Sequence, residues 1–536
     1  MKNNTQRTLV VVMSLGMFVV VLDNTIMNVS ISALVEDLNT TVTGVQAAIS
    51  LNALMMAAFV LMGGKMADII GMKKTFIGGT LIYIAGSTLA SFSSNLAVFI
   101  LGWCAIQGFG AAMMLPNVNT IIRANLEGGA RAKAYGTLTG INALGMAVGP
   151  IVGGFLTTFF SWRWAFRLEI LTLIIVVIFS GAIPRDKLAK IRPKLDVAGV
   201  FLQGSAMVFL VVGLLLIADY GLFLAKQPFM VAGYAINPFG LSIVPFLWAI
   251  GIICFMAFTR WERRVESRGG DVLVDLKLFL IKDYVKGLEV RFIHVAILMG
   301  ATFAVPLYLQ VTYGLSAFQT GFVLLALSAG LMLTATMGSK RGLKYLPKMK
   351  VMCGFLVVII GLLGMMFYVY LGDEPGGLVP GLFVFGLGLG LVASQIVNLI
   401  LSSVNKEQTP EASGVTSTLE TLGSSVGTAL VGTVLVVSLT AGITSMTDAS
   451  EVLPPETKME VEAALQDSVE VVSNEVIVEE ITEDPSMEAE IVRIYDAARQ
   501  RAFEVTLLFL AFGALIAAIL ARELPEKRLV EEPEKL

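Results

Sequence analysis

Charge is scarce in this sequence, and it shows none of the arrangements that enzymes commonly use for catalysis. Only 15% of its 536 residues are Asp, Glu, Lys or Arg, and histidine occurs once. We recognise no nucleotide-binding loop, metal-ligand cluster or serine nucleophile motif. The three cysteines have no metal or redox spacing and predict no disulfide framework. The sequence therefore predicts a protein that is not an enzyme, uses no metal or cofactor, is not driven by ATP and binds no nucleic acid.

The polar surface of a soluble protein is lacking as well, because 56% of the residues are hydrophobic. A soluble chain of this composition would expose large apolar patches. The apolar residues form blocks of about 20, long enough to cross a bilayer as helices. No small-residue cleavage site follows the first block, so we expect it to stay as a helix. The predicted fold is an all-α integral membrane protein with fourteen spans, at 8–31, 44–64, 75–94, 97–122, 134–159, 165–184, 197–217, 240–259, 286–309, 318–338, 350–371, 379–402, 413–440 and 502–521.

Lys and Arg are concentrated in the loops that follow even-numbered spans. The alternate loops carry almost none, and "EDLNTT" and "GDEPGG" are acidic. Because loops rich in Lys and Arg stay in the cytoplasm, both termini are predicted to be cytoplasmic, in a multi-pass protein of the plasma membrane. The residues that carry this prediction are Lys65, Lys73 and Lys74, then Arg123, Arg131 and Lys133, then Arg185, Lys187, Lys190, Arg192 and Lys194, then Arg260, Arg263, Arg264, Arg268, Lys277 and Lys282, and then Lys340, Arg341, Lys344 and Lys348.

An internal repeat divides the chain. When residue 134 is placed over residue 412, "AYGTLTGINALG" falls on "ASGVTSTLETLG" and spans 1–5 fall on spans 9–13. This predicts a six-helix bundle at 1–190, two interposed helices with a cytoplasmic linker at 191–284, and a second six-helix bundle at 285–536. Residues 441–500 form an outer loop with fifteen acidic and three basic residues, either a cap that attracts cations or a solvated loop. Repeated halves around a central site are a transporter architecture.

The segment "GGKMADIIGMKK", residues 63–74, connects spans 2 and 3. Its glycines permit a tight turn, and its acid can pair with a basic residue or a helix N-terminus. Two interpretations are open, a cytoplasmic gate that is made in one state and broken in another, or a plain basic loop. The gate residues would be Gly64, Asp68, Gly71 and Lys73.

The segment "ALGMAVGPIVGGFL", residues 143–156, lies within span 5. Proline removes a helical hydrogen bond and bends the helix, and glycines let another helix approach closely. The pattern predicts a bent, tightly packed helix at the seam between the halves, which ordinary small-residue packing would also produce. The residues concerned are Gly145, Gly149, Pro150, Gly153 and Gly154.

Ionisable residues inside apolar spans are costly unless they are paired, protonated or hydrated. Asp23 in span 1 is predicted to bind and release a proton, with a structural acid near the outer surface as the alternative. Glu420 in span 13 is predicted to alternate between a proton and a cationic substrate, unless it pairs across helices. Arg167 and Glu169 in span 6 are predicted coupling residues or else interfacial. His294 in span 9 is expected to be structural.

Further polar, aromatic and Met side chains in the spans could line a cavity for varied lipophilic ligands. Core packing is the alternative for each of them. The candidates are Asn28, Gln107, Met113, Asn117, Phe303, Gln395 and Asn398.

Taken together, "G…AD…G…KK", "G…GP..GG", "LDNTIMN" and "SWRWAF" resemble the motifs of the major facilitator superfamily, and fourteen spans are similar to its drug/proton antiporter branch. The resemblance implies a monomeric carrier, driven by the proton gradient, that exports lipophilic, often cationic, small molecules by alternating access. The family associates the glycine-proline motif with antiport. An exporter of one endogenous metabolite or antibiotic, and a non-transporting membrane sensor or scaffold, are the alternatives.

The sequence departs from the family pattern at several positions. Cys104 stands where members usually have Arg, and Glu169 stands where they usually have Asn. Ile69 and Met72 replace basic residues of the loop motif. These differences leave the predicted fold unchanged and put the details of proton coupling in doubt.

Overall fold

The structure, a computed structural model, describes residues 2–184, 194–231, 234–236, 240–340, 346–371, 374–405, 408–458 and 485–526. Fourteen long helical segments dominate this part of the chain. The first half contains α1 (Lys2–Val29), α2 (Ile31–Asp37), α3 (Val42–Ile70), α4 (Met72–Ser91), α5 (Leu96–Phe99) running through a π-helical stretch (Ile100–Gln107) into α6 (Gly108–Asn125), α7 (Gly128–Phe159) and α8 (Arg163–Ile178) with a 3₁₀ turn (Phe179–Ala182). The interposed part contains α9 (Val197–Leu215), α10 (Ile217–Tyr220), the antiparallel strands β1 (Phe229–Val231) and β2 (Tyr234–Ile236), α11 (Val244–Ser267) and a 3₁₀ turn (Leu276–Leu280). The second half contains α12 (Lys282–Tyr313), α13 (Ala317–Lys340), α14 (Pro347–Leu371), a 3₁₀ turn (Pro375–Gly377), α15 (Leu378–Ser402), α16 (Thr409–Ala449), α17 (Pro485–Leu520) and a 3₁₀ turn (Ala521–Glu523).

Thirteen of these segments are long and apolar enough to cross a membrane. The fourteenth long helix, α4, is rich in Gly, Ser and Thr, which lowers its mean hydropathy. The predicted all-α, multi-pass membrane fold is thereby confirmed. The basic residues predicted at 185–193 and 341–345, and residues 459–484 of the acidic loop, lie outside the described residues.

The connection predicted over residues 63–74 is wrong in its extent. Helix α3 continues without interruption to Ile70, and α4 begins at Met72. Only Gly71 breaks the helix, with φ at +103°, a conformation that glycine adopts at little cost. Lys65 and Asp68 belong to the last turns of α3. They led to the prediction of a loop because they interrupt the apolar run of the sequence.

The two ends of the bundle differ in which chain segments they carry. Lys286 near the start of α12 lies 3.2 Å from Glu523, just after α17. Gln310 near the end of α12 donates to Val29 O at the end of α1. We therefore call the end with Lys286 and Glu523 the terminal end, and the end with Val29 and Gln310 the distal end. Between the halves, α3 packs on α16 and α7 packs on α13.

The interposed helices lie beside one of these seams. Helix α9 packs on α3 and α16, and α11 packs on α9. Carboxylates hold the backbone of the segment that follows α11. Glu262 Oε2 accepts hydrogen bonds from Leu273 N at 2.9 Å and from Val274 N at 3.4 Å. Glu411 of α16 accepts from Asp275 N at 2.6 Å. Residues 273–275 therefore join the interposed helices to the second half.

We expect Glu262→Leu to destabilise the protein by about 2 kcal/mol, because it leaves buried backbone N–H groups without an acceptor. Glu262 is only 1% exposed, so water does not replace the lost acceptor. Glu266→Gln on the same helix is the matched control, since Glu266 pairs with Lys277 at an exposed site worth about 0–1 kcal/mol. Thermal unfolding in detergent compares the two variants, and equal unfolding temperatures would contradict the role of Glu262.

Candidate transport site

A cavity lies at the seam between the halves, where α1 and α7 face α12 and α13. Its wall is mostly apolar. Asn28 Nδ2 donates to Asn24 O at 2.8 Å, and Asn28 Oδ1 has no hydrogen-bond donor among the described residues. The cavity has a volume of about 40 Å³, far below that of an ordinary ligand pocket, so a drug-sized cargo would require the halves to separate further here, with Asn28 Oδ1 as an available acceptor. The lining residues are Asn24, Thr25, Asn28, Met146, Pro150, Leu298, Met299, Thr302, Leu324, Leu327, Ser328 and Leu331.

Of the predicted cavity residues, only Asn28 is among these lining residues; the glycine-motif residue Pro150 lines the cavity as well. The other six predicted residues lie elsewhere in this structure. Met113 and Asn117 pack against glycines of α3 and α4, with Asn117 Nδ2 donating to Met113 O at 2.7 Å. Phe303 is fully buried in the core, and Gln107 is buried within the first half. Gln395 donates to Ser394 Oγ, and Asn398 is exposed.

The glycine motif of α7 lies in two helix contacts. A Cβ added at Gly145, Gly149 or Gly153 would lie 2.9 Å or less from α1 atoms, the closest being Thr25 Oγ1. A Cβ at Gly154 would lie 2.3 Å from Ala317 O of α13. The motif therefore allows α7 to approach both α1 and α13, one in its own half and one in the other.

The distal end of the seam is closed. Phe318 N donates to Thr158 Oγ1 across it at 3.1 Å, and the ring of Phe318 contacts those of Phe155 and Phe159. Toward the terminal end, by contrast, no described atom lies within 4 Å of a Cβ added at Gly140. The two halves are thus in contact at the distal end, and α7 makes no such contact at Gly140.

The carboxyl group of Asp23 points away from the seam and into the first half. Trp103 Nε1 donates to both of its oxygens, at 3.0 and 3.1 Å. Glu169 of α8 lies near Asp23, and its Oε2 accepts a hydrogen bond from Ser87 Oγ at 3.3 Å. Asp23 is 2% exposed and Glu169 is fully buried, so neither carboxyl group faces solvent or lipid in this structure.

Arg167 takes no part in this cluster. Its guanidinium lies over the ring of Trp164, 4.9 Å from the centroid, on a different face of α8 from Glu169. At the distal end of the same helix, Arg163 pairs with Asp37, which also accepts from Trp162 Nε1 at 2.9 Å. The structure therefore places Arg167 apart from the two acids.

Glu420 lies in a second cluster, within the second half. Arg291 Nε donates to Glu420 Oε1 at 2.7 Å, so the acid pairs across helices. Arg291 also donates to His294 Nδ1 at 3.0 Å, and His294 Nε2 lies 3.0 Å from Leu389 O. Since Nε2 must donate to this carbonyl and Nδ1 must accept, His294 is the neutral Nε2–H tautomer.

The gate residues of the 63–74 segment lie in the first half, at the end of α3 and the start of α4. Lys73 Nζ donates to Ile183 O at 2.6 Å, within the first half. Asp68 is exposed and makes no hydrogen bond or ion pair with the described residues. Nothing lies within 4 Å of a Cβ at Gly64.

Comparison with known proteins gives consistent results. The family model described as "Major Facilitator Superfamily" matches residues 13–281 and 276–428. The "Probable actinorhodin transporter" of Streptomyces coelicolor is 29% identical over 426 residues, covering 77% of this chain and 69% of the relative. "Multidrug transporter protein MdtP" of Bacillus subtilis is 26% identical, with 80% and 76% covered. "Multidrug efflux pump LfrA" of Mycolicibacterium smegmatis is 25% identical, with 83% of each chain covered.

Solved structures share the fold. The "auto inhibited POT family peptide transporter" superposes with a TM-score of 0.60 at 14% identity, covering 97% of both chains. The "human organic anion transporter MFSD10 (TETRAN)" superposes with a TM-score of 0.56 at 12% identity, covering 96% of this chain and 99% of the other.

Proposed function

The chain belongs to the major facilitator superfamily, and on this premise we propose that it is a multidrug efflux transporter that exchanges protons for lipophilic, often cationic, small molecules. The observation that carries the proposal is the mostly apolar cavity at the seam between two related halves, closed at the distal end. Curated relatives named as multidrug transporters support this direction of transport.

The proposed setting is the plasma membrane, with both termini cytoplasmic. The distal end would then face outside, and its closure would correspond to an inward-facing state of a monomeric carrier. Three units would be residues 1–190, 191–284 and 285–536, with the first and third rocking about the cavity. Labelling of cysteines introduced at Asn95 and Lys277, on opposite ends of the bundle, tests this orientation in intact cells.

The proposed driving force is the proton gradient, with no bound cofactor. A proton enters from outside onto a membrane acid, the halves tilt, and cargo is released outside while the proton leaves inside. Moving one charge across the membrane is worth about 2.3 kcal/mol per 100 mV, which is roughly 50-fold for a neutral cargo exchanged for one proton. A monovalent cation exchanged for one proton moves no net charge, so its export is driven by the pH difference. The glycine contacts of α7 with α1 and α13 support a seam that closes and reopens.

Proteoliposomes with an imposed pH gradient test the proposal. With ethidium as a cationic probe, addition of the probe should release protons from energised vesicles, and a proton ionophore should abolish the effect. Vesicles without protein are the control. A wild-type protein that moves ethidium with no accompanying proton movement would exclude antiport.

One observation favours a narrower function. A curated relative with 29% identity carries the name of a single antibiotic, actinorhodin, in its description. Resistance profiling of cells that express the protein against a broad panel separates the two functions. Protection against one compound only would favour a dedicated exporter of a metabolite or antibiotic.

Glu420→Gln is expected to lower ethidium export by about tenfold while leaving chloramphenicol, a neutral compound, almost unaffected. The side chain of Glu420 is 28% exposed beside Arg291, so its carboxylate is within reach of a cation that competes with the guanidinium. A tenfold loss corresponds to about 1.4 kcal/mol. Glu420→Asp keeps the charge and is the matched control. Equal losses for both compounds would contradict a charge-selective role.

A further inference from the structure

Two carboxyl groups share one buried site within the first half. Asp23 on α1 and Glu169 on α8 lie close enough to interact electrostatically, and both are nearly inaccessible to solvent. Glu169 Oε1 has no hydrogen-bond donor among the described residues other than what Asp23 could supply. Carboxylates accept hydrogen bonds and cannot donate them, so a hydrogen bond between two carboxyl groups requires a proton on one of them. A proton shared by the two acids would give Glu169 Oε1 the donor that it lacks and would avoid two adjacent buried negative charges.

The surroundings offer hydrogen bonds and no positive charge. Trp103 donates to Asp23, and Ser87 lies between Glu169 and Gln107. The other titratable groups that face the pair are the hydroxyl of Tyr83 on α4 and the thiol of Cys104 on the π-helical stretch. No Lys or Arg of the described residues forms an ion pair with either acid. Without a cation, two ionised carboxylates in such a site would repel each other strongly.

We propose that Asp23 and Glu169 act as one unit that carries a single proton through the transport cycle. The proton bridges the two groups while they are buried, and it leaves as H⁺ only when water reaches the pair, giving two hydrated carboxylates. Loading reverses this step: a hydrated proton is transferred to one carboxylate of the pair, which forms one O–H bond, and no bond within the protein is broken. The proposal rests on proton-coupled export and assigns the coupling site within it.

An aromatic cluster separates this pair from the distal end. Phe99 packs edge-on against Trp162 and Phe166, with centroids 5.4 and 6.0 Å apart, and Trp103 lies 5.1 Å from Phe99. The indole of Trp103 both seals the pair and donates to it. A proton from the distal side therefore reaches the pair only when these rings separate.

Amide variants test the shared proton. An amide at one position can donate a hydrogen bond to the carboxylate at the other, but it has no proton that it can release to water. We expect Asp23→Asn and Glu169→Gln each to abolish uphill, proton-driven ethidium export. The double variant should be no worse than either single variant, as for groups that act together. Ethidium counterflow and its Kd should be retained in all three, which shows that the variants are folded and bind cargo.

Two further variants complete the experiment. The exchange Asp23→Glu with Glu169→Asp keeps two carboxyl groups and their combined length, and it should restore uphill export. Glu266→Gln, an exposed acid at the terminal end, is the matched control. Full uphill export by Glu169→Gln, or an exchanged pair that binds ethidium normally and remains uncoupled, would overturn the shared proton. A wild-type protein without ethidium-driven proton movement would instead refute the proposed antiport.

Discussion

A leucine at Gly154 is expected to hold the seam open at the distal end and to abolish export. The Cβ alone would lie 2.3 Å from Ala317 O and 2.7 Å from Phe318 Cα, both backbone atoms that no rotamer change can move aside. The contact is reciprocal, because a Cβ at Gly321 would lie 2.4 Å from Pro150 O. Overpacking costs about 1–3 kcal/mol, which shifts the balance between closed and open states by roughly 5- to 150-fold.

Gly140→Leu is the matched control on the same helix, since nothing lies within 4 Å of its Cβ. Spin labels at Phe159 and Phe322, both exposed, report the separation of α7 and α13 at the distal end. We expect a longer distance in Gly154→Leu and an unchanged one in Gly140→Leu. A Gly154→Leu protein that exports ethidium normally with an unchanged label distance would show that this contact does not govern closure.

The helical framework was predictable because lipid leaves an apolar stretch of this length no alternative to a helix. Helix ends were less predictable, and α3 shows why. Its charged residues Lys65 and Asp68 end the apolar run, yet hydrogen bonding continues to Ile70 because a helix does not need to stop where the membrane does. Gly71 was the correct signal for the break, and the polar residues before it were misleading.

The acidic pair could be predicted only in part. Asp23 and Glu169 each stood out as ionisable residues in apolar spans, but spacing along the chain carries no information about contact between α1 and α8. One signal was present in the sequence. Cys104 and Glu169 both depart from the family pattern, and the structure places both beside Asp23. Two departures from the family pattern around Asp23 indicate a changed arrangement of charge: Glu169 adds a second acid, and Cys104 leaves the site without the usual arginine.

The cavity was predicted least well, for a physical reason. In a helix that is apolar all round, residues that face lipid, core or cavity look alike, so periodicity does not separate them. Met146, Leu298 and Leu327 line the cavity with no feature that distinguishes them from Phe303, which is buried in the core. Only polar residues such as Asn28 carried a usable signal.

Thr302→Trp is expected to fill the cavity and to raise the Kd for ethidium by about tenfold or more, with uphill export lost. Thr302 lies on the α12 wall opposite Asn28 of α1, and its Oγ1 donates only to Met299 O, one turn earlier in its own helix. The substitution therefore adds volume at the seam without breaking a bond between helices. Ethidium binding to purified protein, followed by fluorescence, gives the Kd.

Thr302→Val separates volume from polarity, because valine has nearly the shape of threonine and lacks only the hydroxyl. Its Kd should lie within about threefold of wild type, since the lost hydrogen bond is local and worth about 1 kcal/mol or less. A monodisperse elution profile and an unchanged helix content of the tryptophan variant show that it is folded, so that loss of binding reports occupancy of the cavity. Normal ethidium affinity in Thr302→Trp would place the cargo elsewhere, and the partly exposed pair of Glu420 and Arg291 would then be the site to examine.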